Sequence, residues 1–316
     1  MVDAGSYVQG ESGRKYRLLS PLSKRRSRVW IAEEADDGKR SYVVKEPSPL
    51  DSSQGWPLFK HEVQMQKKFS TSPLIRKMED LIPETNESPP IIVLEAFEQI
   101  LWEARNSRPL TIAQIRWIMK GVLLVLWTIH REGLVYSDLK MENILLNGFD
   151  NAAPGNIRAI VARLGDCGAI SKPDGRRVSA ITYRSPEVHF GRAWDSKTDI
   201  WSWGIVIGFQ YCHLLEARVD FLSPGAYDSI CKGTMEEMTK AVRDTIAEDF
   251  NVGLLPYYKD DETSRKLIAP GYTPKSEDDW LGERLLKKGV PEIEIAFLIE
   301  VLHPVPEERL GARGNH

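Results

Sequence analysis

The alternation of apolar and polar positions divides the chain into a strand-rich beginning and a helix-rich remainder. Short runs of period two, bounded by turn residues, predict strands at 16–19, 29–34 and 41–46, with the Asp36-Asp37-Gly38 step reading as a hairpin turn. Two more strands are predicted at 76–81 and 91–96, separated by a loop carrying Pro83, Pro89 and Pro90. Between these groups the period becomes helical. Pro57 suits a first helical turn, and Leu58, Glu62, Met65 and Phe69 then fall on one face. Thr111 and Gln114 form a capping-box pattern, and Ile112, Ile115, Ile118/Met119, Val122/Leu123, Leu126 and Ile129 continue as one face of a long helix closing at Gly133. Next comes LVYSDLKMENILL (134–146), a polar knot between two apolar runs, which reads as a buried loop leading into a strand. A strand at 157–164 runs into Asp166-Cys167-Gly168, and helical stretches include 235–248, within a region at 209–290 that holds no nameable motif. Residues 1–13 are small and polar and are expected to form a disordered leader.

Composition narrows the class. The 316 residues, 42% of them hydrophobic, suffice for one large domain or two moderate ones. A formal net charge of -3 gives no electrostatic reason for nucleic acid or an anionic membrane as partner. Cys167, Cys212 and Cys231 are odd in number and widely spaced, which argues against a disulfide framework or a zinc site and for a reducing compartment. The beginning of the chain has no basic stretch followed by an apolar core, and the most hydrophobic run, around 121–127, falls short of the ~20 apolar residues a membrane span needs. The expectation is an intracellular monomer of cytoplasm or nucleus, with no nucleic-acid or membrane partner.

The polar knot carries chemistry. Asp138 can take a proton, Lys140 can hold a phosphate and the Asn143 amide oxygen can ligate a hard cation, which are parts that phosphoryl transfer requires. Glu62, a carboxylate on an apolar stripe, needs a partner, and Lys45, ending the strand at 41–46, is the candidate. These stretches resemble eukaryotic protein kinases of the serine/threonine type. The loop at 134–146 is similar to H-R-D-L-K-x-x-N, with Tyr136 and Ser137 in place of His and Arg. Tyr42-Val43-Val44-Lys45 resembles V-A-I-K, Asp166-Cys167-Gly168 resembles D-F-G, and Tyr183-Arg184-Ser185-Pro186-Glu187 resembles the A-P-E region of cyclin-dependent, MAP and SR-protein kinases. Asp199-Ile200-Trp201-Ser202-Trp203-Gly204 resembles D-x-W-S-x-G, and Pro306-Glu307-Glu308-Arg309 resembles the element whose arginine pairs with Glu187. Six ordered motifs between Tyr16 and Arg309 make coincidence a poor explanation.

The resemblance implies an α+β, bilobal fold: a small antiparallel β-sheet lobe with one helix (14–97) and a larger, mainly helical lobe (98–316). It implies ATP with magnesium, or alternatively manganese, as cofactors, and a protein substrate with serine or threonine acceptors. Asp138 and Lys140 would be catalytic, and Asn143 and Asp166 would hold the metal. Lys45, Glu62, Leu22, Lys24, Ser27, Val29, Val43, Glu95, Phe97 and Leu145 would surround the nucleotide, with the Leu94–Phe97 stretch as the adenine-binding hinge.

Departures from the pattern open an alternative. The stretch 22–29, LSKRRSRV, stands where the family has a glycine-rich phosphate loop and contains no glycine. A Cβ in a left-handed conformation there costs ~1–2 kcal/mol, or about tenfold in affinity, partly offset by Lys24, Arg25, Arg26 and Arg28. Ser137 cannot grip a phosphorylated activation segment as an arginine does, so activity should not depend on that modification. Cys167 is smaller than the usual phenylalanine, and Ala180 stands where many kinases have a threonine bridging Asp138 and Lys140, with Thr182 or Ser179 as substitutes. The readings that follow are an active, phosphorylation-independent serine/threonine kinase and a pseudokinase, a scaffold or binding module with weak or no turnover; a small-molecule phosphotransferase on a kinase-like fold is less favoured, because 183–187 and the helix after it suit protein substrates.

Overall fold

In KYRLLSP the side chains of Tyr16 and Leu18 point to one side and are fully buried, while Lys15, Arg17 and Leu19 face outward. That alternation marks a strand with one face buried in an antiparallel sheet, whereas the inner runs 42–44 and 91–94 are buried on both faces. The computed structural model describes residues 3–22, 28–36, 38, 40–85, 88–173, 180–207, 213–219, 221–222, 226–276, 281–287 and 289–312. Strands β1 (Tyr7–Gln9), β2 (Lys15–Pro21), β3 (Val29–Glu34), β4 (Ser41–Lys45), β5 (Met78–Ile82) and β6 (Ile91–Glu95) form a sheet in the order β1-β2-β3-β4-β6-β5. One face buries Tyr16, Leu18, Ala32, Tyr42, Val44 and Val93; the other buries Val43, Ile92 and Leu94 against Phe59 and Val63.

The expected disordered leader is corrected here. Val8 packs on the Tyr16 cluster, and Tyr7, Val8 and Gln9 pair with Arg17, Tyr16 and Lys15. Asp80, buried in β5, holds the segment down by accepting from the Ser12 N–H at 3.2 Å, from the Ser12 hydroxyl and from the Tyr16 hydroxyl at 3.0 Å. Burial alone would raise the Asp80 pKa; these donors outweigh it and hold the carboxyl below its usual range. A polar composition hid the segment because its order comes from one distant carboxylate.

Helix α1 (Pro57–Lys68) begins with Pro57 as expected, but its own N-cap, Trp56, supplies no side-chain bond. Asp51 does so from a preceding 3-10 turn, accepting from the N–H groups of Leu58 and Phe59 at 3.2 and 3.0 Å. The buried stripe is Phe59, Glu62, Val63, Gln66 and Phe69, not the expected face through Leu58, which is 66% exposed. Both faces contain Glu62 and Phe69, so the pattern alone did not separate them.

The chain divides into two compact units, Met1–Glu98 with Arg163–Ile170, and Gln99–Ala162 with Ser171–His316. Residues 163–170, expected with 98–316, belong to the first unit here. Leu164 donates to the Leu74 carbonyl at 3.0 Å and accepts from the Arg76 N–H at 2.9 Å, which draws its strand into the first unit.

The second unit is mainly helical. Strands β7 (Gln99–Ile100) and β8 (Ile144–Asn147) pair antiparallel, and β9 (Val161–Leu164) begins here, its last two residues belonging to the first unit. Its helices are α2 (Leu101–Ser107), α3 (Ile112–Arg131), α4 (Pro186–His189), α5 (Lys197–Ile207), α6 (His213–Val219), α7 (Ala226–Ile230), α8 (Met235–Asp249), α9 (Pro256–Lys259), α10 (Glu262–Leu267), α11 (Leu281–Lys287) and α12 (Glu292–Val301). Both bonds of the Thr111–Gln114 capping box are present, at 3.1 and 3.0 Å, and Gly133 takes the positive φ that ends α3. Helix α3 is by length and composition apolar enough to cross a membrane, contrary to the estimate from 121–127 alone. Here it is a core helix: Ile115, Ile118, Met119, Val122, Val125, Leu126 and Ile129 are buried, and Met119 accepts from the Trp203 indole at 2.9 Å. Helices α5 and α12 approach closely at Gly204, where a Cβ would lie 2.6 Å from Val301.

Candidate functional site

In the first unit, period two places Lys45 on the same side of β4 as Val43, the side that packs on α1. Glu62 lies one turn beyond Phe59 on the buried stripe of α1. The two side chains meet: Lys45 Nζ is 2.7 Å from both carboxylate oxygens of Glu62 and 3.5 Å from Asp166 Oδ1. Burial disfavours the Lys45 ammonium, but Glu62 and then Asp166 more than compensate, and its pKa is raised. Asp166 has φ of 46°, a left-handed conformation costly for a residue with a side chain, and its Oδ1 accepts from the Gly168 N–H at 3.3 Å. A Cβ at Gly168 would sit 3.3 and 3.4 Å from oxygens of Asp166 and Glu62, so the glycine admits both carboxylates. Cys167 is buried, and that burial, reinforced by Glu62 and Asp166, pushes its thiol up to about 12, so it is a packing group and not a nucleophile. The His61 ring meets the Ile170 carbonyl at 2.7 Å, an additional tie between α1 and this segment.

The remaining expected nucleotide residues of this unit are placed differently from one another. Val29 and Val43 pack in one apolar cluster, and Leu22, 59% exposed, donates its N–H to the Val29 carbonyl at 2.8 Å. Lys24 and Ser27 lie outside the described residues. Glu95 is held by its own unit: its carboxylate pairs with Arg163, its carbonyl accepts from Arg76 Nε at 2.7 Å, and its N–H donates to Lys77 at 2.9 Å. Phe97 lies under the Arg163 guanidinium, 5.8 Å from it.

In the second unit, Val135, Tyr136, Leu139, Met141, Ile144 and Leu146 are buried and anchor the loop that carries Asp138, Lys140 and Asn143. Lys140 Nζ lies 2.8 Å from Asp138 Oδ2, and the Asn143 amide donates to the Asp138 carbonyl at 2.8 Å and to Oδ2 at 3.0 Å. Asp138 thus meets Lys140 directly, at the position where many kinases add a threonine bridge; Ala180 offers none, and Ser179 lies outside the described residues. Leu145 pairs with Ile100 across β7 and β8.

The loop is held from below by Asp199, 1% exposed, which accepts from the N–H groups of Tyr136 and Ser137, both at 2.8 Å, and meets His130 at 2.8 Å. Ser137 has φ of 59°, and those bonds offset the strain of holding it there. Sequence reasoning named Asp199 but missed His130, whose signal was a lone histidine in the last turn of a helix. It also missed Arg76 and Arg163, for which no local pattern existed.

Around Glu187 the sequence-expected ion pair is complete. Arg309 binds both Glu187 oxygens at 2.8 Å, with both side chains fully buried. Two residues on, His189 is buried with its Nε2 on the Ile181 carbonyl at 3.2 Å. Burial, then the Arg184 charge, pulls its pKa down to about 3. A depressed base binds its proton in the unfolded chain first, so this stabilisation is complete above about pH 6.5 and is lost as pH falls toward about 3. His189→Gln should therefore flatten the pH dependence of urea-unfolding free energy between about pH 6 and pH 4, by up to ~1.4 kcal/mol per pH unit. An unchanged slope would assign the acid sensitivity elsewhere.

The oxygen donors suit a hard cation bound to phosphates. Asn143 uses its NH2 group on Asp138, which leaves its carbonyl oxygen for a ligand, and the Asp166 side chain is 48% exposed with Oδ2 outside the contacts above. Among the described residues no group of three or more His, Cys, Asp or Glu gathers to hold a metal alone. Taken within its own unit, each of the Asn143 and Asp166 oxygens is a hard donor of the type that a divalent metal accompanying phosphates takes.

The protein kinase domain family matches residues 27–314. Among curated proteins, the chain is 32% identical to the serine/threonine-protein kinase US3 of human herpesvirus 1, over 37% of this chain and 24% of that protein. It is 28% identical to the protein kinase US3 homolog of gallid herpesvirus 2, over 65% and 48% respectively. It is 27% identical to the mouse hormonally up-regulated neu tumor-associated kinase, over 64% and 25%. The matched stretches span less than half the length of these relatives. A chain of the yeast RNA Pol II CTD kinase CTDK-1 complex superposes with a TM-score of 0.70 at 17% identity, covering 95% of this chain and 90% of that one, which is a likeness of fold. With the sheet unit, the helical unit and both charged clusters in place, and a family match over nearly its whole length, the chain belongs to the protein kinase domain family.

Proposed function

We propose that this chain transfers the γ-phosphoryl group of ATP to serine or threonine hydroxyls of protein substrates, without requiring phosphorylation of its own activation segment. The observation that carries this reading is the Lys45 ammonium held by both oxygens of Glu62, an ion pair that protein kinases need in place for turnover. Bound magnesium-ATP would supply the phosphoryl group and neutralise its developing charge. Lys45 would orient the α- and β-phosphates, and Asp166 and Asn143, the metal-holding positions that the kinase resemblance implies, would each offer an oxygen to a divalent ion. Asp138 accepts the proton of the substrate hydroxyl, and Lys140 stabilises charge on the transferred group. Lysine two positions after Asp138 is the serine/threonine form of this loop.

Independence from activation-segment phosphorylation rests on Ser137, which is 2% exposed and has no cation to offer a phosphate. Magnesium is the expected metal, and manganese should substitute, because both are oxygen-seeking divalent ions. The second reading, a pseudokinase scaffold or binding module with weak or no turnover, is favoured by the absence of glycine from 22–29 and by Cys167 in place of the usual phenylalanine.

Melting with and without magnesium-ATP tests the nucleotide half of the proposal. Ligand at a hundred times its Kd stabilises by about 2.7 kcal/mol. The expected result is a clear upward shift at millimolar nucleotide that is smaller at micromolar concentrations, as a glycine-free loop predicts. No shift at any concentration would remove ATP from the proposal. A shift without transfer to any serine- or threonine-containing substrate would select the pseudokinase.

A further inference from the structure

The motif residues do not exhaust the charges around Lys45. Arg76, in the turn before β5, donates from Nε to the Glu95 carbonyl at 2.7 Å, and its backbone N–H donates to Leu164 at 2.9 Å. Ile75 and Leu164 form a parallel bridge, so this one turn ties the end of β6 to the strand that leads two residues later to Asp166. Arg163 adds a second tie from the same strand through the Glu95 carboxylate. Glu95 is therefore held at its carbonyl, amide and carboxylate at once.

The same residues balance charge. Glu62, Glu95 and Asp166 are three carboxylates, and Lys45, Arg76 and Arg163 are three cations. The fields acting on Arg76 are those of Glu95, Glu62 and Asp166, and burial brings its pKa down to about 10, so it remains charged at neutral pH. Without Arg76 the set would carry a net negative charge beside the lysine that is to meet phosphates.

We propose that Arg76 is a positioning residue of the nucleotide site, fixing the backbone of Glu95 and supplying the cation that balances the Glu62, Glu95 and Asp166 carboxylates, so that its loss weakens ATP binding more than it slows turnover. This rests on the kinase reading above. The two effects separate by ligand. Adenosine has no phosphates and reports the Glu95 backbone; ATP reports backbone and charge together. Lysine at 76 keeps the charge but not the Nε geometry.

The test measures ATP and adenosine affinity by calorimetry, and kcat and KM where transfer is present, for wild type, Arg76→Met and Arg76→Lys. For Arg76→Met, ATP affinity and KM should worsen about tenfold or more, adenosine affinity should fall less, and kcat should stay within about threefold. Arg76→Lys should restore the wild-type ratio of ATP to adenosine affinity while adenosine itself stays weak. Unchanged ATP affinity in Arg76→Met, or a loss confined to kcat, would overturn the proposal. If Arg76→Met fails to fold, Arg163→Met removes a charge and a Glu95 tie at a side chain 23% exposed. It should weaken ATP more than adenosine, and equal affinities to wild type would overturn the proposal. Wild type that binds ATP beside insensitive variants rejects the Arg76 role alone; wild type that binds neither ligand rejects the kinase reading and this inference with it.

Discussion

Asp138→Asn is expected to lower phosphoryl transfer by about 10²–10⁴-fold while nucleotide affinity and melting temperature stay near wild type. Asp138 is the only group on its loop that combines a carboxylate with two fixed donors, Lys140 at 2.8 Å and the Asn143 amide at 3.0 Å, both on Oδ2. Asparagine keeps the size of the side chain but cannot take a proton from a substrate hydroxyl. The loop itself should survive, because it is anchored through the Tyr136 and Ser137 backbone on Asp199 and by the buried apolar residues around it. Initial rates with magnesium-ATP and a serine-rich substrate, beside thermal melts, measure both halves. Activity within tenfold of wild type would take the proton-accepting role from Asp138, and a fall of many degrees in melting would make the residue structural first.

The largest effect on stability is expected from Arg309→Met. The Arg309 guanidinium binds both Glu187 oxygens, donates to the carbonyls of Lys197 and His303 at 2.8 Å, and stacks 5.2 Å from the Trp201 ring centroid. Removing it leaves the Glu187 charge buried and unpaired, at a cost of about 3–5 kcal/mol. At ~2–4 °C per kcal/mol for a chain of this size, melting should fall on the order of 10 °C. The companion variant Arg309→Met/Glu187→Leu should be less destabilised than Arg309→Met, since no charge is then left alone. Equal or additive losses would show that the arginine acts through its carbonyl and ring contacts and not through the carboxylate. Such a buried pair is a structural requirement of the helical unit, distinct from the chemistry at Asp138.

Local patterns sufficed wherever the stabilising contacts are near in sequence. Period-two runs at 29–34 and 41–46 became β3 and β4, the latter ending one residue earlier, and the capping box at Thr111 opened α3. Spaced motifs likewise placed Asp138 with Lys140 and Asn143 because the three share one short loop. Lys45 and Glu62, 17 residues apart, were matched only because a buried carboxylate needs a cation, and the ion pair is there.

Contacts between distant segments that no motif carries were out of reach. Asp80 orders the beginning of the chain across |i−j| of 68, and a polar leader has no pattern that announces such an anchor. The α1 stripe was assigned one position off, since Leu58 and Phe59 are both apolar and only packing against Val43 and Leu94 decides between them. The Arg76, Glu95 and Arg163 ties join three separated segments and draw 163–170 out of the helical unit. The sequence by itself determined most of the elements, the family and the charged side chains that meet at Lys45 and at Asp138, because these follow from local periodicity, residue chemistry and motif spacing. Only the tertiary structure decided the partners of Asp80, Arg76, Arg163 and His130, because partners that no motif announces are chosen by distance in space, which the order of residues along a chain does not encode.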